Sequence, residues 1–96
     1  MKVFDWDLRK NEELRAQRKI SFEDIVFSIS REGLMDVIEH PDQQRYPGQR
    51  IFIVNVDDYA YIVPFVEDEK TVFLKTIIPS RKMTRKYLGG KRHENK

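Results

Sequence analysis

The sequence predicts an α+β domain, an antiparallel sheet covered by helices from the N-terminal half and followed by a basic C-terminal helix. Three observations carry this. Helix-forming segments occupy the first third of the chain, β-branched and aromatic runs parted by short turns fill residues 50–78, and an apolar run then passes through Pro79 into a densely basic stretch. The runs are joined too tightly for crossovers, so three strands should form an antiparallel meander. A chain of 96 residues makes one domain with a modest core. We assign residues 1–88 to that domain and residues 89–96, GGKRHENK, which hold no apolar member, to a disordered basic tail.

In chain order, residues 2–7 read as a short strand whose apolar members are Val3, Phe4 and Trp6. Residues 9–19 are a charged, weakly patterned helix, supported by good helix formers and by Glu12 three before Arg15. The next helix is clearer. Ser21 is its N-cap, Asp24 stands three residues on, Phe22, Ile25, Val26 and Ile29 follow helical spacing, and Gly33 ends it. Residues 34–39 read as a strand, and residues 40–49 as a polar loop punctuated by Pro41, Pro47 and Gly48. Residues 50–56 and 59–66 form a hairpin around Asp57-Asp58, and residues 71–78 add the third strand. Pro64 cannot donate to a ladder, so a bulge or an unpaired position is expected there. Residues 81–88 are the basic helix.

Charge is sorted along the chain. Residues 79–96 hold seven Lys/Arg against one acid, Glu94, whereas residues 21–78 hold five against eleven, although the whole chain carries only +2. A phosphate-facing end and a separate acidic region suited to a basic partner follow from this. At helical spacing Arg81, Lys82, Arg85 and Lys86 share one arc, opposite Met83 and Tyr87. Four cations on so short an arc exceed what compensation of the helix dipole requires, which points to nucleic acid. A solvated terminal helix is the alternative.

The composition, 35 % charged and 40 % hydrophobic, is that of a globular soluble protein. No membrane span and no signal peptide are expected, and the lack of cysteine fits the cytoplasm. No Gly-rich phosphate loop or metal-ligand spacing is present, so no cofactor or metal is expected. Chemistry would rest on groups able to cut a phosphodiester unaided: one to take a proton from a 2′-hydroxyl, one to stabilise the phosphorane, one to protonate the leaving 5′-oxygen. The candidates are Arg81, Lys82, Arg85, Lys75, His40 and Tyr87, with Lys86 in nucleic-acid binding. Strand alternation puts Lys75 with Phe73 and Ile77 rather than with Val72, Leu74 and Ile78, either aimed at a ligand or blunting a sheet edge. His40 lies in a loop with Arg45 and Tyr46, as an acid–base group or an idle surface residue. Tyr59 and Tyr61 share a strand face with Val63 and Phe65 and are assigned to packing rather than base stacking.

Phe4-Asp5-Trp6-Asp7, Ile20-Ser21-Phe22-Glu23-Asp24, the three-stranded hairpin system and Ile77-Ile78-Pro79-Ser80-Arg81-Lys82-Met83-Thr84 occur in that order. In this the chain resembles the BrnT family of toxins, small RelE/ParE-like members of bacterial type II toxin–antitoxin modules. The likeness covers about residues 3–88 and is best at the two ends. That family shows an aromatic-Glu-Trp-Asp opening, a Ser-Phe-Glu-Glu helix start and an Ile-Ser-Ala-Arg-Lys-Ala-Thr segment, matched here by residues 4–7, 21–24 and 78–84. The resemblance implies a RelE-like sheet and a metal-independent endoribonuclease that inhibits translation. Its RNA substrate would be met free or on the ribosome, and a small DNA-binding antitoxin would be its cognate partner. Arg81 and Lys82 match the family's Arg-Lys pair, while Arg85 and Lys86 fall in the basic stretch after it. The chain departs from the family in the last strand, where Leu74, Lys75 and Thr76 stand in place of arginines, and in the loop of residues 41–49. The assignment of His40 gains nothing from the family. A non-catalytic module that binds nucleic acid or protein through the basic helix is the competing expectation.

Overall fold

Asp7 ends the first strand, β1 (Val3–Trp6), and caps the first helix, α1 (Leu8–Arg18), its carboxylate accepting from the Lys10 amide at 3.0 Å. The computed structural model describes residues 2–94, and the side chains of residues 2–89. Helix α1 stops at Lys19, which adopts a left-handed φ of 58° and donates its amide to the Arg15 carbonyl. The second helix, α2 (Phe22–Ser30), opens on the capping box read from the sequence: the Asp24 amide donates to Ser21 Oγ at 3.2 Å and the Ser21 amide to Asp24 Oδ2 at 2.9 Å. Buried Asn11 locks the two helices together. Its Oδ1 accepts from the Phe22 amide at 2.7 Å and its Nδ2 donates to Glu23 at 2.8 Å.

Five more segments complete the sheet: β2 (Leu34–Glu39), β3 (Arg50–Val56), β4 (Tyr59–Glu67), β5 (Thr71–Leu74) and β6 (Ile78–Pro79). The third helix, α3 (Arg81–Glu94), follows. The strand order is β1-β5-β4-β3-β2, with β6 also on β4; every pairing is antiparallel except β1 on β5. The expected meander is therefore present as β3-β4-β5, extended by one strand on each side. Asp57 and Asp58 turn the β3–β4 hairpin with φ of 54° and 65°, the paired left-handed conformation of a two-residue hairpin loop. After α2 the left-handed residue is Glu32, with φ 67°, and not Gly33. Gly33 is required for a different reason: a Cβ there would lie 2.7 Å from the Ser28 carbonyl oxygen and 2.9 Å from that of Asn55.

The sheet is packed on both faces. Leu14, Ile20, Phe22 and Ile25 from the α1–α2 side bury against Phe52, Val54, Val63, Phe65, Val72, Leu74 and Ile77. On the other face Ile51, Ile53 and Ala60 pack with Met35, Ile38 and Ile62, and with Met83 and Tyr87 of α3. Full burial of a side chain such as Phe22 or Phe65 contributes about 1.5–3 kcal/mol. Among the described residues no helix is long and apolar enough to cross a membrane. The backbone of α3 runs on to Glu94, where the sequence led us to expect a disordered tail from residue 89; residues 95 and 96 of that tail lie outside the described residues.

Pro64 sits in β4 directly opposite Ile51 with no slip in the β3 ladder. Its carbonyl accepts from the Lys75 amide at 2.8 Å, so its ring nitrogen also faces away from β3, and β3 loses no hydrogen bond to it. The irregularity appears across the other edge. Phe65 pairs with Leu74 and Ile62 with Ile78, so the two residues 63–64 face the three residues 75–77. The Ile77 carbonyl in this bulge accepts instead from Arg18 Nη1 at 2.8 Å. The extra residue corrects the alternation read from the sequence: Ile77 joins Val72 and Leu74 in the core at 0 % exposure, while Ile78 turns outward at 41 %.

Candidate nucleic-acid interface

The basic helix is fixed to the sheet by its own first turn. Ser80 Oγ accepts from the Met83 amide at 3.0 Å, an N-cap contact, while the Ser80 amide donates to the Ala60 carbonyl at 3.0 Å. The Ala60 amide donates in turn to Thr84 Oγ1 at 2.8 Å, and the Thr84 hydroxyl donates to the Ser80 carbonyl at 2.8 Å. Both backbone groups of Ala60 are thus satisfied by α3 and its cap, Ser80. One helical turn on, the Tyr87 hydroxyl donates to Asp36 Oδ2 on β2 at 2.5 Å. The hydrogen bond from Tyr87, then that from the Val37 amide, hold the Asp36 carboxyl below its ordinary range; the same bond, then burial, raises the Tyr87 phenol.

With Met83, Thr84, Tyr87 and Leu88 turned inward, Arg81, Lys82, Arg85 and Lys86 are all exposed on the outer face of α3. Among the described residues none of the four pairs with a carboxylate, and Lys86 Nζ lies 5.4 Å from the Tyr87 ring centroid. The structure therefore brings these four cations together as the helical spacing predicts.

Lys75 follows β5 on the α3 side of the sheet, with Nζ 5.6 Å from the Phe73 ring centroid. Phe73 alternates with Val72 and Leu74, which face α1 and α2. His40 extends β2 by one rung, its amide donating to the Gln49 carbonyl at 3.0 Å, and alternation from Ile38 puts it on the same face. Three strand spacings still separate the lines of Lys75 and His40, about 15 Å, so the two cannot act on one phosphodiester from these positions. His40 Nδ1 accepts from the Asp42 amide at 3.0 Å and the ring lies on Tyr46 with centroids 4.4 Å apart. The neutral imidazole then carries its proton on Nε2 and presents a donor. Tyr87 is committed to Asp36.

Tyr61 packs with the α1–α2 core, and Tyr59 lies against it at 5.7 Å, so these two are on the sheet face opposite α3, as the packing assignment required. The Tyr61 phenol is raised by burial first, then by Tyr59, Asp57 and Asp24. Asp24 and Asp57 line a cleft there with Lys19, Phe27 and Tyr61.

Sequence reasoning missed Thr84, Ala60 and Asp36. The Ser80-x-x-x-Thr84 spacing was a usable signal, because it stacks the threonine over the cap on the inner face. Asp36 is an acid inside an apolar strand, but nothing local names its partner 51 residues away. No protein-family model, no curated protein and no solved structure matches this chain.

Proposed function

We propose that the chain is a metal-independent endoribonuclease with a RelE-like sheet, the toxin of a type II toxin–antitoxin module of the BrnT kind. In this reading it cuts RNA in the cytoplasm, inhibits translation, and is held in check by a small DNA-binding antitoxin. The observation that supports it most is the outward arc of Arg81, Lys82, Arg85 and Lys86 on a helix whose inner face is fixed by Thr84 and Tyr87. Because the helix backbone is already fixed, phosphate binding need order only the cationic side chains, none of which forms a salt bridge among the described residues.

In the proposed reaction the RNA 2′-hydroxyl gives its proton to water as its oxygen bonds to the adjacent phosphorus, and the P–O5′ bond breaks as the 5′-oxygen takes a proton from water or from a protonated side chain, leaving a 2′,3′-cyclic phosphate and a 5′-hydroxyl. Arg81, Lys82 and Arg85 bind the phosphate and stabilise the phosphorane charge. Either Lys75 or His40, which lie too far apart to act together, contacts the RNA or takes part in proton transfer, and Tyr87 acts as a positioning residue for α3.

A second reading, a non-catalytic module that binds nucleic acid or protein through α3, is favoured by one observation. The Tyr87 hydroxyl is engaged by Asp36, and the lines of His40 and Lys75 lie three strand spacings apart, so among the described residues the candidate proton-transfer groups are not gathered at the cations. Induced expression of the chain and of Arg81→Ala/Lys82→Ala, with growth followed and new RNA 5′ ends mapped, separates the two. Arrest with new ends, both abolished by the double substitution, supports the ribonuclease. A folded chain that causes neither leaves the binding module.

A further inference from the structure

Helix α3 covers the sheet over β2, β3 and the start of β4, where Met83 and Tyr87 meet Ile51, Ile53 and Ala60. On the same face, along β6 and β5, Ile78 is 41 % exposed, Lys75 is exposed, and Phe73 and its neighbour Val66 are half-buried. Val3 on β1 is 62 % exposed, and Asp5 lies directly across from Phe73. The row Ile78–Lys75–Phe73 runs beside β4 residues 62–66, about 14 Å, and its Ile78 end stands three residues before Arg81, the first cation of α3.

We propose that this open sheet face is the path of single-stranded RNA leaving the basic helix, with an unstacked base lying on Phe73 and the neighbouring phosphate on Lys75. The inference rests on the reading of α3 as a phosphate-binding helix and adds the form of substrate it takes. The row is one strand wide and carries a single aromatic ring, and only an unpaired base offers that ring a free π-face; an A-form duplex keeps its bases inside. The charges run the same way. Lys75 and α3 attract phosphate on one side of Phe73, while Asp5 across from it, and Glu67 and Asp68 that line a pocket with it, repel phosphate on the other, so the path ends at Phe73, where Asp5 presents an acceptor to the amino groups of a base. The same carboxylate opposes an acidic protein segment as the occupant.

The test is binding of a short labelled single-stranded RNA, and of the same sequence as a duplex, to the full chain and to Phe73→Leu, Phe73→Trp and Lys75→Ala, each checked by thermal melt. We expect Phe73→Leu to weaken single-strand binding roughly 5- to 100-fold, the range of a lost base–aromatic stack, with duplex binding unchanged and Phe73→Trp restoring affinity. Lys75→Ala should lower the slope of log affinity on log salt by about 0.7, which Phe73→Leu should not. Single-strand affinity unchanged in a folded Phe73→Leu chain overturns the proposal. If the parent then still cuts RNA and Arg81→Ala/Lys82→Ala does not, the ribonuclease reading stands without it. A labelled poly-glutamate peptide bound through Phe73 in preference to RNA overturns it in favour of an acidic partner. A parent that makes no new RNA ends yet loses single-strand binding on Phe73→Leu supports the stacking path while the ribonuclease reading falls.

Discussion

The Ala60 amide at the second position of β4 donates to the Thr84 hydroxyl in α3 at 2.8 Å, across 24 residues of chain. Thr84 is 6 % exposed and Ala60 is fully buried, so no water can replace that acceptor. Thr84→Val keeps the volume and removes the oxygen, leaving a buried donor unpaired. We expect it to lower unfolding stability by about 1–3 kcal/mol in urea denaturation, and Thr84→Ser, which keeps the oxygen, to lose less.

The Tyr87–Asp36 bond makes the hold on α3 depend on pH at both extremes. The Asp36 carboxyl is lowered by the Tyr87 hydrogen bond, so its contribution is present above the unfolded carboxyl range near about pH 4 and is lost as pH falls through the lower folded value. The Tyr87 phenol is raised by the same bond, so its contribution is present below about pH 10 and is lost as pH climbs through the higher folded value. Tyr87→Phe removes both. The difference in Tm between the parent and Tyr87→Phe should be constant from about pH 5 to 9 and shrink on either side.

Gly33 tests the joint between α2 and β2. A methyl group there would meet two backbone oxygens at 2.7 and 2.9 Å, and neither is the end of a flexible side chain. Gly33→Ala should therefore destabilise by about 1–3 kcal/mol, as overpacking does, despite the usual advantage of alanine over glycine. A chemical denaturation curve with an unchanged midpoint would contradict the crowding.

For the basic arc the expected outcome is a salt-dependence series. Each single alanine substitution at Arg81, Lys82, Arg85 or Lys86 should weaken RNA binding and reduce the slope of log affinity on log salt by about 0.7 where that cation meets a phosphate of a single strand. Arg9 is exposed on α1, on the other side of the sheet, and Arg9→Ala should leave the slope unchanged.

What could be read from the sequence was whatever its local neighbours decide. The Ser21–Asp24 capping box, the Asp57-Asp58 hairpin and the outward cations of α3 each depend on residues within one or two turns, and the structure has all three. Pro64 was legible as an irregularity, but its consequence falls on the facing strand, because its missing donor points there. That displaced bulge is why Ile77 and Ile78 exchange the faces that simple alternation gives them. The contacts that fix the candidate site, Thr84 with Ala60 and Tyr87 with Asp36, join distant segments, and no periodicity encodes a partner. The parallel seat of β1 on β5 was unreadable for the same reason.

The crossing of residues 75–77 opposite two residues of β4 holds one residue more than an even ladder needs. Removing one of them would close the slip two against two and leave Ile78 opposite Ile62, on the face it holds now. The start of α3 and its cations would then keep their present outlook. Chains that keep this helix on this face of this sheet are thus expected to hold an apolar residue where Ile77 is buried and to accept either two or three residues in the crossing.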